Sequence, residues 1–265
     1  MMYRRYPRKI LITGASSGLG AALAEFYAAS GATLFISGRD AERLEETRQA
    51  CERNGGQCFP RVIDVTDKDA MHGWITGILN DHGTLDLVIA NAGVSGGTAM
   101  RVGQGDNPVW DGDNDHHIFE TNLMGVLNTT NPVLPHMMAS HAGQIALISS
   151  MASFIPLAGA PSYSASKAAV RFYGEALHAK LKPYGVTVTV VCPGFITTRM
   201  TDHNQFPMPF LMSAQHAASI IARKLIRKPC LISFPWPMRL MMGFMSLCPS
   251  FFTREVFSWL PEKHN

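Results

Sequence analysis

The chain has 265 residues, of which 46% are hydrophobic and 16% charged, so it can fill a sizeable core and is not a disordered polypeptide. A formal net charge of +3 is too small to suggest nucleic acid as a partner. The five cysteines, Cys51, Cys58, Cys192, Cys230 and Cys248, form no CxxC pair. That argues against a disulfide framework or a zinc site and fits a reducing cytoplasm.

In chain order, Arg4, Arg5, Arg8 and Lys9 form a basic cluster that reads as a solvated tail entering the first strand, with contact to phosphate or an anionic surface as the alternative. The apolar run that follows stops at Thr13-Gly14, too short for a signal peptide, and no stretch of about 18 apolar residues suggests a membrane span. Strands are expected at 9–13, 33–37, 58–63, 85–90, 144–149, 187–191 and 230–234. Between them, helices are expected at 19–30, 41–53, 68–82, 116–140, 162–182 and 213–227. This alternation predicts a single α/β domain over residues 1–265 with a doubly wound, Rossmann-like parallel sheet. Two segments interrupt it. Residues 94–115, rich in Gly and Asp, read as a long loop. Residues 192–212 carry Pro193, Pro207 and Pro209 with Phe195, Met200, Phe206, Met208 and Phe210, and read as a substrate loop at a strand end.

The first strand runs into Gly14, Ser16, Ser17, Gly18, Leu19 and Gly20, and a helix follows. Glycines there allow a tight turn and close backbone approach to a pyrophosphate, and the helix N-terminus offers free N–H groups to the anion. The second strand ends in Gly38-Arg39-Asp40. A 2′-hydroxyl is usually met by a carboxylate at that strand end, but Gly38 carries none and Arg39 can clamp a 2′-phosphate. NADP(H) is therefore expected in preference to NAD(H), with Asp40 as the N-cap of the next helix.

Tyr163 and Lys167 stand four apart at a helix start, on one face. An ammonium near a phenol favours the phenolate, as suits a tyrosine that exchanges a proton near neutral pH. Ser150, after an apolar strand, can hydrogen-bond to a substrate oxygen on which charge develops. Asn122, within an expected helix, is a poor helix former there and is suspected of a role.

These residues, with TGASSGLG at 13–20, DV at 64–65, NAG at 91–93, YSASK at 163–167 and PGFITT at 193–198, resemble the short-chain dehydrogenase/reductase family in its short, single-domain form over residues 8–234. The resemblance implies a seven-stranded sheet and assigns roles. Gly14, Gly18 and Gly20 would shape the cofactor turn, which Ser16, Ser17 and Leu19 line. Asp64 and Val65 would flank the adenine, and Asn91, Ala92 and Gly93 the ribose. Pro193, Gly194, Ile196 and Thr198 would hold the nicotinamide. Tyr163 would be the acid/base. Lys167 would bind the ribose hydroxyls and lower the Tyr163 pKa. Ser150 would polarise the substrate oxygen, and Asn122 would support a water-linked proton relay to Lys167. Relatives of this kind usually assemble as homodimers or homotetramers.

Asp111 to Asp115 superficially suggest a calcium loop, but the twelfth position is Asn122 rather than Glu, so no metal is expected. His116 and His117 read as exposed at a helix start. The segment 235–265 is rich in Met, Phe and Trp. Three readings stay open for it: core or subunit interface, an adaptable lid over an apolar substrate, or contact with a membrane surface through Trp236 and Trp259. The expectation is a cytoplasmic oxidoreductase that transfers a hydride between NADP(H) and an apolar small-molecule carbonyl or alcohol, such as a ketone, an aldehyde, a steroid or a lipid-derived compound. A non-catalytic NADP(H)-binding sensor and a membrane-associated lipid-modifying reductase are the alternatives.

Overall fold

The computed structural model describes residues 6–95, 100–102, 108–110, 112–198, 201 and 208–247. Arg4, Arg5, Asp111, Met200, Phe206, Pro207, Cys248 and Trp259 lie outside them, as does much of the expected 94–115 loop, the 192–212 loop and the 235–265 segment.

Apart from the edge strand Gln57–Val62, in which only Cys58 is buried, the strands of the main sheet are short, largely apolar runs, as expected where both faces of a sheet are covered. They are β1 (Lys9–Ile12), β2 (Thr33–Gly38), β3 (Gln57–Val62), β4 (Leu87–Ala90), β7 (Gln144–Ile148), β8 (Thr187–Pro193) and β11 (Leu231–Phe234). All pair in parallel, in the order β11-β8-β7-β4-β1-β2-β3. The order reverses beside β1, so β1 and β4 diverge there and open a crevice at their carboxyl ends. In β1 the alternation is plain: Ile10 and Ile12 join one core, Leu11 the other. The first core is closed by α1 (Gly18–Ala28) and the helix Ala214–Leu225, here α8; the second by α3 (Lys68–His82) and α7 (Pro161–Leu181). Each fully buried Ile or Leu stabilises the fold by about 1.5–3 kcal/mol.

Helix starts follow local chemistry. Asp40 caps α2 (Ala41–Arg53) by accepting from the Arg43 N–H at 3.1 Å, and Asp67 caps α3 by accepting from the Ala70 N–H at 2.9 Å.

The structure corrects the expected helix at 116–140. It is divided into α4 (Gly112–Phe119), a π turn at Glu120–Met124, α5 (Gly125–Thr130) and α6 (Leu134–Ala139). Pro132 and Pro135 cannot donate backbone hydrogen bonds, and Pro135 lies in the first turn of α6, where that loss costs least. His116 and His117 are exposed but stand near the end of α4 rather than at its start. Within the expected 94–115 loop, β5 (Met100–Val102) and β6 (Pro108–Trp110) pair antiparallel. The expected 192–212 loop contains a parallel pair, β9 (Ile196–Thr197) with β10 (Met212–Ser213). The segment after β11 forms a helix, α9 (Trp236–Leu247). Among the described residues, no helix is long and apolar enough to cross a membrane.

Candidate active site

The crevice beside β1 widens into a cleft of about 1230 Å³. At one end lies the glycine-rich turn. Gly14 has φ +66°, a conformation open to glycine at little cost. Gly20 lies beneath the turn, outside the cleft lining: a methyl group added there would sit 2.2 Å from the Gly14 carbonyl oxygen. Ser17, the N-cap of α1, has an extended backbone and makes no side-chain capping bond, so the amides of the first turn face the cleft uncapped by it. Ser16, Ser17, Gly18 and Leu19 line that end. From β4, the Asn91 side chain donates to the carbonyls of Thr13 at 2.9 Å and Gly14 at 3.1 Å. Thr13 replies through its hydroxyl oxygen, which accepts from the N–H groups of Asn91 and Ala92. Asn91 thus spends its side chain on the turn, while Ala92 and Gly93 line the cleft.

At the end of β2, Arg39 stands on the rim with its side chain 58% exposed, 3.5 Å from Asp64. Burial works to raise the Asp64 carboxyl, but hydrogen bonds from the Thr66 N–H and hydroxyl, together with Arg39, hold it below the usual range. Val65 lines the same wall, and so does Arg43, which also pairs with Asp40. A methyl group at Gly38 would meet the Ser16 hydroxyl at 2.9 Å.

At the middle of the cleft β7 meets α7. The Lys167 ammonium donates to the Ile148 carbonyl at 3.0 Å, and the Ser149 hydroxyl donates to the Lys167 carbonyl at 2.7 Å, so strand and helix are joined twice at the buried lysine. Burial brings Lys167 down to about 8. Ser150 caps a 3₁₀ turn, Met151–Phe154, by accepting from the Ala152 N–H at 3.1 Å. Tyr163 lies beside it. Burial raises the Tyr163 phenol, and the hydrogen bond with Ser150 draws it back. The Lys167 ammonium is 5.9 Å from the Tyr163 ring centroid.

Asn122 is fully buried in the π turn, where the Gly125 N–H reaches back to the Glu120 carbonyl. Its side chain accepts from the Val94 N–H at 2.8 Å and donates to the Val94 carbonyl at 2.9 Å and to Ser166 at 3.1 Å. It does not line the cleft. It sits beside Gly93, as Lys167 does: a methyl group on Gly93 would lie 3.0 Å from the Asn122 oxygen and 3.2 Å from the Lys167 nitrogen. Pro193, Gly194, Ile196 and Thr198 also line the cleft, Thr198 close to the start of α1, where a methyl group on Gly18 would lie 3.0 Å from its methyl carbon. Thr201 fixes that loop, accepting from the Thr198 N–H at 2.9 Å and donating to the Ile196 carbonyl at 2.8 Å.

Sequence reasoning missed several contributors: Thr13, Ser149, Ser166 and Thr201, whose hydroxyls hold the backbone around the site, and Arg43, which lines it. The available signal was a hydroxyl at the end of an otherwise apolar strand, as at Thr13 and Ser149. A turn of positive-φ glycines at a helix start whose N-cap side chain leaves the amides free, a buried ammonium and a rim with two arginines suit a dinucleotide.

Residues 8–207 match the family model described as short chain dehydrogenase. An uncharacterized oxidoreductase of Myxococcus xanthus is 37% identical over 244 residues, covering 92% of this chain and 93% of that protein. A short chain dehydrogenase from Mycobacterium paratuberculosis, solved bound to NAD, superimposes with a TM-score of 0.71 at 24% identity, covering 85% of this chain and 95% of the other. The L-sorbose reductase of Gluconobacter frateurii, solved with NADPH and L-sorbose, gives 0.74 at 21% identity, covering 88% and 97%. The chain belongs to the short chain dehydrogenase family, oxidoreductases that bind NAD(P)(H).

Proposed function

We propose that the protein is an NADP(H)-linked oxidoreductase acting on an apolar carbonyl or its alcohol, with Tyr163 as the acid/base. The observation that carries this reading is the convergence of Ser150, Tyr163 and Lys167 on one stretch of the cleft that also contains the glycine turn. When bound, the nicotinamide supplies or accepts the hydride. In the reductive direction Tyr163 delivers its phenolic proton to the carbonyl oxygen, while Ser150 hydrogen-bonds to that oxygen and stabilises the charge developing on it. Lys167, held by the Ile148 carbonyl, keeps a positive charge near the phenol and favours proton loss. Asn122 positions Val94 and Gly93 beside Lys167.

The preference for NADP(H) is supported by Arg39 and Arg43 at the rim and by the crowding of Gly38 against Ser16, which leaves no room for a carboxylate side chain at Gly38 without moving that serine. The fold neighbours include one solved with NAD and one with NADPH, so they do not decide the matter.

The test is consumption of NADPH and NADH over a panel of neutral ketones and aldehydes, with wild type, Tyr163→Phe and Arg39→Ser. The expected outcome is turnover that falls about 10²–10⁴-fold in Tyr163→Phe while NADPH still binds, and an NADPH advantage over NADH that shrinks about tenfold or more in Arg39→Ser. Turnover that survives Tyr163→Phe overturns the catalytic assignment, and equal use of the two cofactors by wild type overturns the preference.

A further inference from the structure

Beyond Tyr163 the cleft changes character. Its described lining there is Met151, Ile155, Leu157, Phe195 and, from α9, Met238, Met241 and Met242, and none of the described residues at that end is charged. Met238 and Met242 are buried in one cluster with Met151, Ile155 and Cys192, and Leu157 and Phe195 pack against it. Met241, one position round the helix, is 48% exposed while still lining the cleft, so it stands at the mouth. The helix is seated on the loop that follows β8: a methyl group at Gly194 would meet the Met238 sulfur at 2.9 Å.

We propose that α9 is the specificity-determining wall of the substrate site, and that it selects neutral carbonyl compounds bearing a flexible aliphatic chain, whose tail lies along Met242 and Met241. The inference rests on the functional reading above and names its substrate class. Methionine is unbranched and polarizable, and conforms to an irregular or mobile aliphatic chain. A rigid planar ligand is better held between aromatic faces, and Phe195 is the single aromatic residue among the described residues lining that end. With no described cation there, a carboxylate tail would be desolvated without a partner.

The experiment is titration calorimetry of 2-butanone, 2-hexanone, 2-octanone, 2-decanone and the rigid bicyclic ketone trans-1-decalone into protein saturated with NADPH, with turnover measured in parallel. Wild type is expected to bind the straight-chain ketones up to about fourfold more tightly per added methylene, and to favour 2-decanone over decalone. Met241→Gln, at a half-exposed position that tolerates a polar side chain, flattens the dependence on chain length. Leu240→Gln, which alters the outer face of the same helix and lies outside the cleft lining, leaves it intact. Affinity that is independent of chain length, absent for every ketone, or equally steep in Met241→Gln overturns the proposal, as does a slope lost in Leu240→Gln instead. Steep binding without turnover leaves this inference standing and sinks the functional reading; turnover with a flat profile does the reverse.

Discussion

The two ends of the cleft are built by different means. The glycine-turn end is held by backbone in positions that admit little change: Gly20 lies against the Gly14 carbonyl, and Asn91 and Thr13 bind each other's backbones across β1 and β4. The α9 end is held by methionine, isoleucine and leucine side chains packed on one another. The first is rigid because a fixed anion must meet fixed amides; the second can deform because contact with a hydrocarbon has no direction.

Substitutions can break or sharpen this contrast. The largest stability effect is expected from Gly20→Ala, whose methyl group would collide with the Gly14 carbonyl oxygen and the Asn91 side chain. It should cost about 3 kcal/mol or more and weaken NADPH binding, read by denaturant unfolding and cofactor fluorescence. A variant as stable as wild type would show the turn to be as deformable as the other end.

Lys167→Met comes next and carries a pH signature. The folded-state pKa of Lys167 is depressed to about 8 from an ordinary 10.5. Between those values the unfolded chain holds a proton that the folded chain has released, so wild-type stability rises with pH in that window, and the penalty of the buried charge is fully present below it. Set against the lost bond to the Ile148 carbonyl, the variant should be more stable than wild type by on the order of 1–2 kcal/mol at neutral pH. The difference should shrink as pH climbs from about 8 toward 10.5. Unfolding curves for both proteins across that range check it; a constant difference would mean that Lys167 does not titrate as its burial implies.

The smallest effect is expected from Met242→Leu. Although Met242 is buried, the exchange nearly conserves volume and should change stability by within about 1 kcal/mol. A loss as large as that of Gly20→Ala would erase the distinction between the two ends.

The same contrast governs what could be read from the sequence. The sheet, the glycine turn and the helices at 41–53 and 68–82 were legible because local rules and tertiary structure agree there: apolar strands, glycines where the turn needs them, and Asp40 and Asp67 at N-cap positions. The π turn was not, because the weak helix former Asn122 marks the segment Glu120–Met124 without showing that its backbone register slips. Nor was α9, since Trp236–Leu247 is apolar nearly all round and offers no polar face to mark a period. The residues proposed as catalytic stood out by type and spacing. The hydroxyls of Thr13 and Ser149 did so less plainly: each ends an apolar strand, but the backbone groups they hold come from far along the chain.

The placement of α9 bears on how such a protein can diversify. The helix follows every residue assigned here to the glycine turn, the proton transfer or the nicotinamide wall, and it offers the cleft methionine side chains rather than an acid, a base or an anion ligand. Mutations within 236–247 can therefore accumulate while the chemistry persists. After a gene duplication, this short stretch is where two copies would first part company in what they accept.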